Sequence, residues 1–486
     1  METRVTPEQN DIQGYVFSGY KHLRFPYFVF LHFNDDSDPK AWLKEIVELT
    51  TTARPYPVLG IVDGKKVRDK PRTTINVAFA YPALQAFRMP DETLRSFPEE
   101  YVVGMAKRSE ILRDTGPNDP DTWQFGGHNT KAVHALLLLY AQTPIEREEL
   151  LAEQRIILNV HKIEELCTEE GARPECSKEM FGFHDGVGQP AVEGIGDSDD
   201  DEEPNNTIRL GEVVLGYPDG YDLYGPSPNV PAVNDLHGIL PAFPEGKLPK
   251  CRDFGRNGSF LVYRKLEQDV AGFWNFIQEK AGPDSHEMLE MGAKFFGRWP
   301  SGTPLVLSPH RDDPRHSETD EFAYTGLDLD GRRCPIGAHI RRSNPRDSLQ
   351  NDSPSESYLT TSRHRLVRRG IIYGEPLFPL TMTNHQAPID LKDDGKPRGL
   401  HFIALNASTQ RQFEFVQQTW CNDSEFHGLI DTSDPIVGGN DGKGIMTIEA
   451  TPFRKRIHDM PRFVTVRAGV YFFMPGMAAM KYMASK

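Results

Sequence analysis

The chain has 486 residues, of which 38% are hydrophobic and 26% charged, and it carries a formal net charge of −15. That length calls for one very large domain or two packed ones, with a core large enough to enclose a cofactor. The acidic balance speaks against nucleic acid and against an anionic membrane surface as partners, since both need basic protein surface.

Five cysteines, an odd number with no CxxC pair, suit a reducing compartment and give no thiolate zinc site. The opening METRVTPEQNDIQGY has no apolar stretch, and the longest apolar run, 135–140, is too short to span a bilayer. A cytoplasmic location is the expectation. The oligomeric state is left open by the sequence.

In chain order, 22–33 (HLRFPYFVFLHF) is aromatic and β-branched and predicts a strand. The spacing of Trp42, Leu43, Ile46, Val47 and Leu49 predicts a helix over 39–51, and 73–81 predicts another strand. The segment 130–152, apolar in the middle and charged at its end, predicts a helix. The acidic run 197–203 predicts a solvated loop, and the Pro-, Gly- and Asn-rich stretch 217–250 a long surface connection. Then come a strand at 258–264, a helix at 267–280, a strand at 399–405 and a helix at 411–420. The repeated strand–helix order predicts a duplicated α+β unit with helices packed on antiparallel sheets. The expected division is 1–235, carrying the first chemical motif below, and 236–486, carrying the other two.

Three segments hold reactive residues in stiff frames. In the first, 181–190 (FGFHDGVGQP), Asp185 sits among Gly182, Gly186 and Gly188, where backbone can approach a ligand closely. On residue types alone, Asp-Gly reads first as a turn pair; a general acid–base or a metal ligand are the other readings. In the second, 334–346 (CPIGAHIRRSNPR), small residues precede His339, leaving room for a flat macrocycle over the imidazole. Arg341, Arg342 and Arg346 could pair with carboxylates. A buried histidine bonded to backbone is the commoner alternative. In the third, 364–374 (HRLVRRGIIYG), adjacent arginines in extended chain point to opposite sides. One is expected in a pocket and the other in solvent, unless the pair simply guards a strand edge. His310, near Asp312 and Asp313, is a hard-metal candidate, but without a second spaced histidine a loop is preferred.

Together these segments resemble the signature of the dye-decolourising peroxidase family. Its GxxDG motif resembles 182–186, its proximal histidine motif is similar to Gly337-Ala-His339-Ile-Arg running into Asn344-Pro-Arg346, and its distal arginine lies in a segment like Arg368-Arg369-Gly370. Stretches at 211–218, 257–264, 402–407, 411–420 and 463–473 also resemble the family, so the likeness covers most of 20–475. The polar insert 347–361 and the overall length resemble its larger, loop-elaborated branch. The resemblance implies duplicated ferredoxin-like units of the dimeric α/β-barrel type. It implies one haem b per chain, ligated by His339, with Asp185 and Arg368 on the peroxide side. Gly186, Val187, Gly188, Asn344, Pro345, Arg346 and Arg368 are the other haem contacts that it implies. The activity implied is reduction of hydrogen peroxide through a ferryl intermediate, with oxidation of dyes, phenolics or other small organic donors. A haem-handling or iron-release role on the same fold is the rival.

Overall fold

The aromatic stretch near the N-terminus forms strand β1, Phe25–Phe33. Helix α1, Pro39–Leu49, follows, capped by the Asp38 carboxylate, which accepts from the Ala41 N–H. Strand β2 is Thr73–Phe79. All three elements agree with the sequence reading.

The segment 130–152 does not. Its apolar centre is strand β3, Ala135–Ala141, and the helix α2 begins only at Pro144 and runs Pro144–Val160. Every residue of β3 is buried, because β1 and β2 pair with it on either side and apolar layers cover both faces. Leu137 and Leu139 join one core cluster, Leu136 and Leu138 the other. A strand covered on both faces loses its alternation and reads like a buried helix. The true start of α2 carries a capping box between Thr143 and Glu146, which contributes about 1 kcal/mol. Strand β4, Ile163–Glu170, completes the first unit.

The second unit opens with β5, Ser259–Gln268. The helix expected at 267–280 starts later, as α3, Val270–Ala281, because β5 extends through Gln268 and Asp269 caps the first turn by accepting from the Gly272 N–H. Helix α4, Ser285–Phe296, and the short α5, His339–Ser343, precede two edge strands, β6 (Val367–Arg368) and β7 (Ile371–Tyr373). Strands β8, Gly399–Asn406, and β9, Val464–Met474, finish it. Between them, 410–421 winds as two π-helical stretches where the sequence predicts an ordinary helix.

The computed structural model describes residues 6–62, 65–195, 206–350 and 353–486, and the acidic run 197–203 falls outside them. In the first unit the strands lie in the order β4-β1-β3-β2; in the second, β9-β5-β8, with β6 and β7 both on β8. Numbering the strands within each unit, both read 4-1-3-2, the antiparallel ferredoxin-like order. The units join edge to edge where Phe473 of β9 pairs with Phe79 of β2, giving one nine-stranded sheet. The α+β duplication is thus present, as an open path of strands.

Strand pleating makes one face of the second unit a wall. Arg264, Leu266 and Gln268 of β5, and Leu400 and Phe402 of β8, line a cavity, while Tyr263 and His401 turn to the other face and hydrogen-bond to each other at 2.8 Å. Among the described residues no helix is long and apolar enough to cross a membrane.

Candidate active site

The cavity, about 260 Å³, brings together residues that lie far apart in sequence. His339 is the first residue of α5 and stands on its wall. Its Nδ1 lies 2.9 Å from Oδ2 of Asp434, a side chain with no solvent exposure. An ionised carboxylate only accepts, so Nδ1 carries the proton and Nε2 keeps its lone pair. Asp434 is itself fixed: its Oδ1 accepts the backbone N–H groups of Ile436 and Val437 at 2.8 and 2.9 Å. Burial pushes this carboxyl up, but His339 and the two backbone donors outweigh it and leave it below the ordinary carboxylate range.

Asp185 lies in the loop after β4. Its N–H donates to the Ser177 carbonyl, and its Oδ1 accepts from Gly186 N–H at 2.7 Å. Gly186 and Gly188 have φ of +87° and +80°, a region where a side chain is strained, and a Cβ on Gly188 would come within 3.0 Å of Asp320. Arg368 reaches the same place from edge strand β6. Its Nη1 is 3.7 Å from Asp185 Oδ1, its Nη2 donates to the Val187 carbonyl at 3.1 Å, and its backbone N–H is held by Gln189 Oε1. The two side chains remain about a third exposed, at 33% for Arg368 and 31% for Asp185. Arg369 points the other way, as the strand geometry requires. It is half-buried, not solvated: Gly19 packs on its stem and the Val16 carbonyl accepts from its Nη2.

A third group frames the cavity rim. Arg298 and Arg346 both pair with Asp320, and among the described residues Arg365 donates only to neutral oxygens of Gly188 and Asn206. Two guanidinium groups thus share one carboxylate, whose Oδ2 is buried without a partner among the described residues, and a third stands beside them. Burial pushes Arg298 and Arg365 down to about 10. A site with surplus buried cations at one rim, apolar walls of Leu366, Phe402 and Ile436, and a bare imidazole nitrogen suits a flat, apolar ring with anionic substituents.

Of the residues singled out in the sequence, Asp185, Gly186, Val187, Gly188, His339, Asn344, Arg346 and Arg368 all line this cavity. Pro345 is not on the wall; its carbonyl accepts from Ser348, closing the turn from which Arg346 projects. Asp312 accepts from Ser301 and Asp313 holds Arg315, and no group of three potential metal-ligating residues exists among the described residues. Sequence reading did not find Asp434, Arg298, Asp320, Arg365 or Glu179. Glu179 is buried on the cavity wall, accepting from Phe181 N–H, Phe183 N–H and Gln268, and burial pushes its carboxyl up to about 7.

No family model matches the chain. Curated relatives do. A dye-decolorizing peroxidase of Auricularia auricula-judae is 27% identical over 97% of this chain and 86% of its own length. Another, from Mycetinis scorodonius, is 28% identical over 98% of this chain and 87% of its own. Over nearly its whole length the chain is similar to dye-decolorizing peroxidases. A bacterial relative, the multifunctional dye peroxidase DyP2 of an Amycolatopsis species, is 29% identical over 75% of this chain and 74% of its own. The crystal structure of the fungal DyP-type peroxidase from Auricularia auricula-judae superposes with a TM-score of 0.75 at 24% identity, covering 99% of this chain and all of that one. The likeness to dye-decolorizing peroxidases implies a haem cofactor, and the cavity's cation surplus, apolar walls and free imidazole nitrogen fit one.

Proposed function

We propose that the protein is a haem-dependent peroxidase that reduces hydrogen peroxide and oxidises dyes, phenolics or other small organic donors. The observation that carries this reading is the carboxylate–guanidinium pair of Asp185 and Arg368 sharing one cavity with the carboxylate-bound His339. His339 would hold the iron through Nε2, with Asp434 fixing the tautomer and raising the basicity of the ligand. Arg298, Arg346 and Arg365 would take the anionic edge of the ring. Haem b, one per chain, supplies the electrons for peroxide cleavage and the oxidising power passed on to donors.

The remaining steps belong to the chain. Asp185, as carboxylate, takes a proton from one oxygen of hydrogen peroxide and returns it to the other, which departs as water. Arg368 stabilises the negative charge that builds up as the O–O bond breaks. The leucine and phenylalanine wall limits water around the pair and so strengthens its electrostatic effect.

An absorption spectrum of the purified protein, before and after one equivalent of hydrogen peroxide, tests this. A Soret band that changes within the mixing time is expected, and a pyridine haemochrome assay should give one haem b per chain. A haem spectrum that ignores peroxide would point to the haem-handling role, which the names of the relatives do not favour.

A further inference from the structure

A second cavity, about 80 Å³, shares a wall with the first: Asp185, Gly186, Arg368 and Leu400 line both. Its lining holds five cations, Lys21, Arg173, Lys178, Arg368 and Arg369, against one carboxylate, that of Asp185. That carboxylate is already engaged by Arg368 at 3.7 Å.

Among the described residues the other cations have little to offset them. The Nε atoms of Arg173 and Arg369 are both buried without an acceptor among the described residues. Among the described residues Arg369 otherwise donates only to the backbone carbonyls of Val16 and Arg368, at 3.2 and 3.4 Å. Lys178, 3% exposed, donates its Nζ to the neutral hydroxyl of Thr383 at 2.8 Å. Burial pushes the Lys178 ammonium down to about 8, outweighing the opposing pull of Asp312 and Glu179. Buried cations with neutral partners are costly unless an anion joins them. The loop after β4, the β6–β7 turn and the segment around Gly19 converge to make this arrangement. A Cβ on Gly19 would come within 3.0 Å of the Arg369 stem, so the close approach depends on glycine there.

We propose that this second cavity binds a small inorganic anion, a halide or a comparably small oxyanion, seated among Arg173, Lys178 and Arg369. The site does not depend on the peroxidase reading, since none of these three residues faces the main cavity. Because Arg368 lines both cavities, a bound anion adds negative charge beside Asp185.

Bromide is the probe. The purified protein is titrated with sodium bromide against sodium gluconate at equal ionic strength, following melting temperature and visible absorption. A saturable rise in melting temperature is expected, without a shift of any haem band, and with at least tenfold weaker apparent affinity in both Arg173→Gln and Lys178→Gln. No saturable rise would overturn the proposal. So would a rise that both variants keep at full affinity, or one that moves the Soret band, which assigns bromide to the main cavity. Should one variant fail to fold, anomalous scattering from bromide-soaked crystals decides: a peak between Arg173 and Arg369 supports the site, and a peak only elsewhere, or none, rejects it. A protein without haem leaves the melting-curve readout intact, so failure of the cofactor reading is distinguishable.

Discussion

The two faces of the main cavity are built by opposite rules. On the His339 side, a fully buried carboxylate holds the imidazole at 2.9 Å and is itself held by two backbone donors. On the Asp185 side, the charged pair stands 3.7 Å apart, about a third exposed, on a glycine-rich loop and a two-residue edge strand. A ligand that must not move needs a preorganised, saturated environment. Groups that must pass a proton need spare hydrogen-bonding capacity and room for a substrate between them. Under the proposed function, the first side would hold the cofactor and the second would react.

Removing the held side should have the largest effect. His339→Ala is expected to abolish stable haem binding, read as loss of the Soret band after gel filtration; full retention of haem would remove His339 from its assigned role. Next, Arg368→Leu should keep the haem spectrum yet slow the reaction with peroxide roughly a hundredfold, if one charge-stabilising donor is worth about 3 kcal/mol. Wild-type speed in stopped-flow mixing would show that the loose pair is not the reacting one. Asp434→Asn should be milder, weakening haem retention or activity by about 10- to 100-fold. An apomyoglobin transfer assay measures the first. Equal damage from Asp434→Asn and His339→Ala would mean that the aspartate supports folding and not merely the ligand.

The same contrast explains what the sequence disclosed. Asp185, His339 and Arg368 each lie in a short motif whose glycines, prolines and paired arginines are local features, so they are legible without a fold. Asp434 is 95 positions from His339, and no spacing rule connects them. Asp320, Arg298 and Arg365 look like ordinary polar loop residues until the fold pairs Arg298 and Arg346 with one carboxylate and sets Arg365 on the same cavity wall. The α+β duplication was legible from the order of strands and helices, and its ferredoxin-like type from the family resemblance. The position of β3 was not, because burial on both faces erases the period on which a strand assignment rests. The fate of Arg369 was half legible: alternation gave its direction, but only packing by the Gly19 segment shows that its side is not solvent.

Glu179 sharpens the comparison most finely, since it is a buried carboxyl on the cavity wall whose environment works against its charge. Burial raises it from an ordinary 4.5 to about 7, although Phe181 N–H, Phe183 N–H and Gln268 favour the ionised form. Between those two values the folded protein holds a proton that the unfolded chain releases, so stability falls as pH rises through that window. The loss is at most about 1.4 kcal/mol per pH unit and levels off above the folded value. Glu179→Gln cannot titrate, and its melting temperature should therefore decline less than that of the wild type between pH 5 and pH 7, by roughly this slope. Asp434, held below the ordinary range, contributes in the opposite sense: its stabilisation is present above the unfolded carboxylate value and fades only as pH falls through the lower folded one. Melting curves of both variants across pH 3 to 8 would separate the two carboxyls. Identical pH profiles for Glu179→Gln and wild type would mean that Glu179 is ionised in the folded state and that the wall beside Asp185 is more polar than its burial indicates.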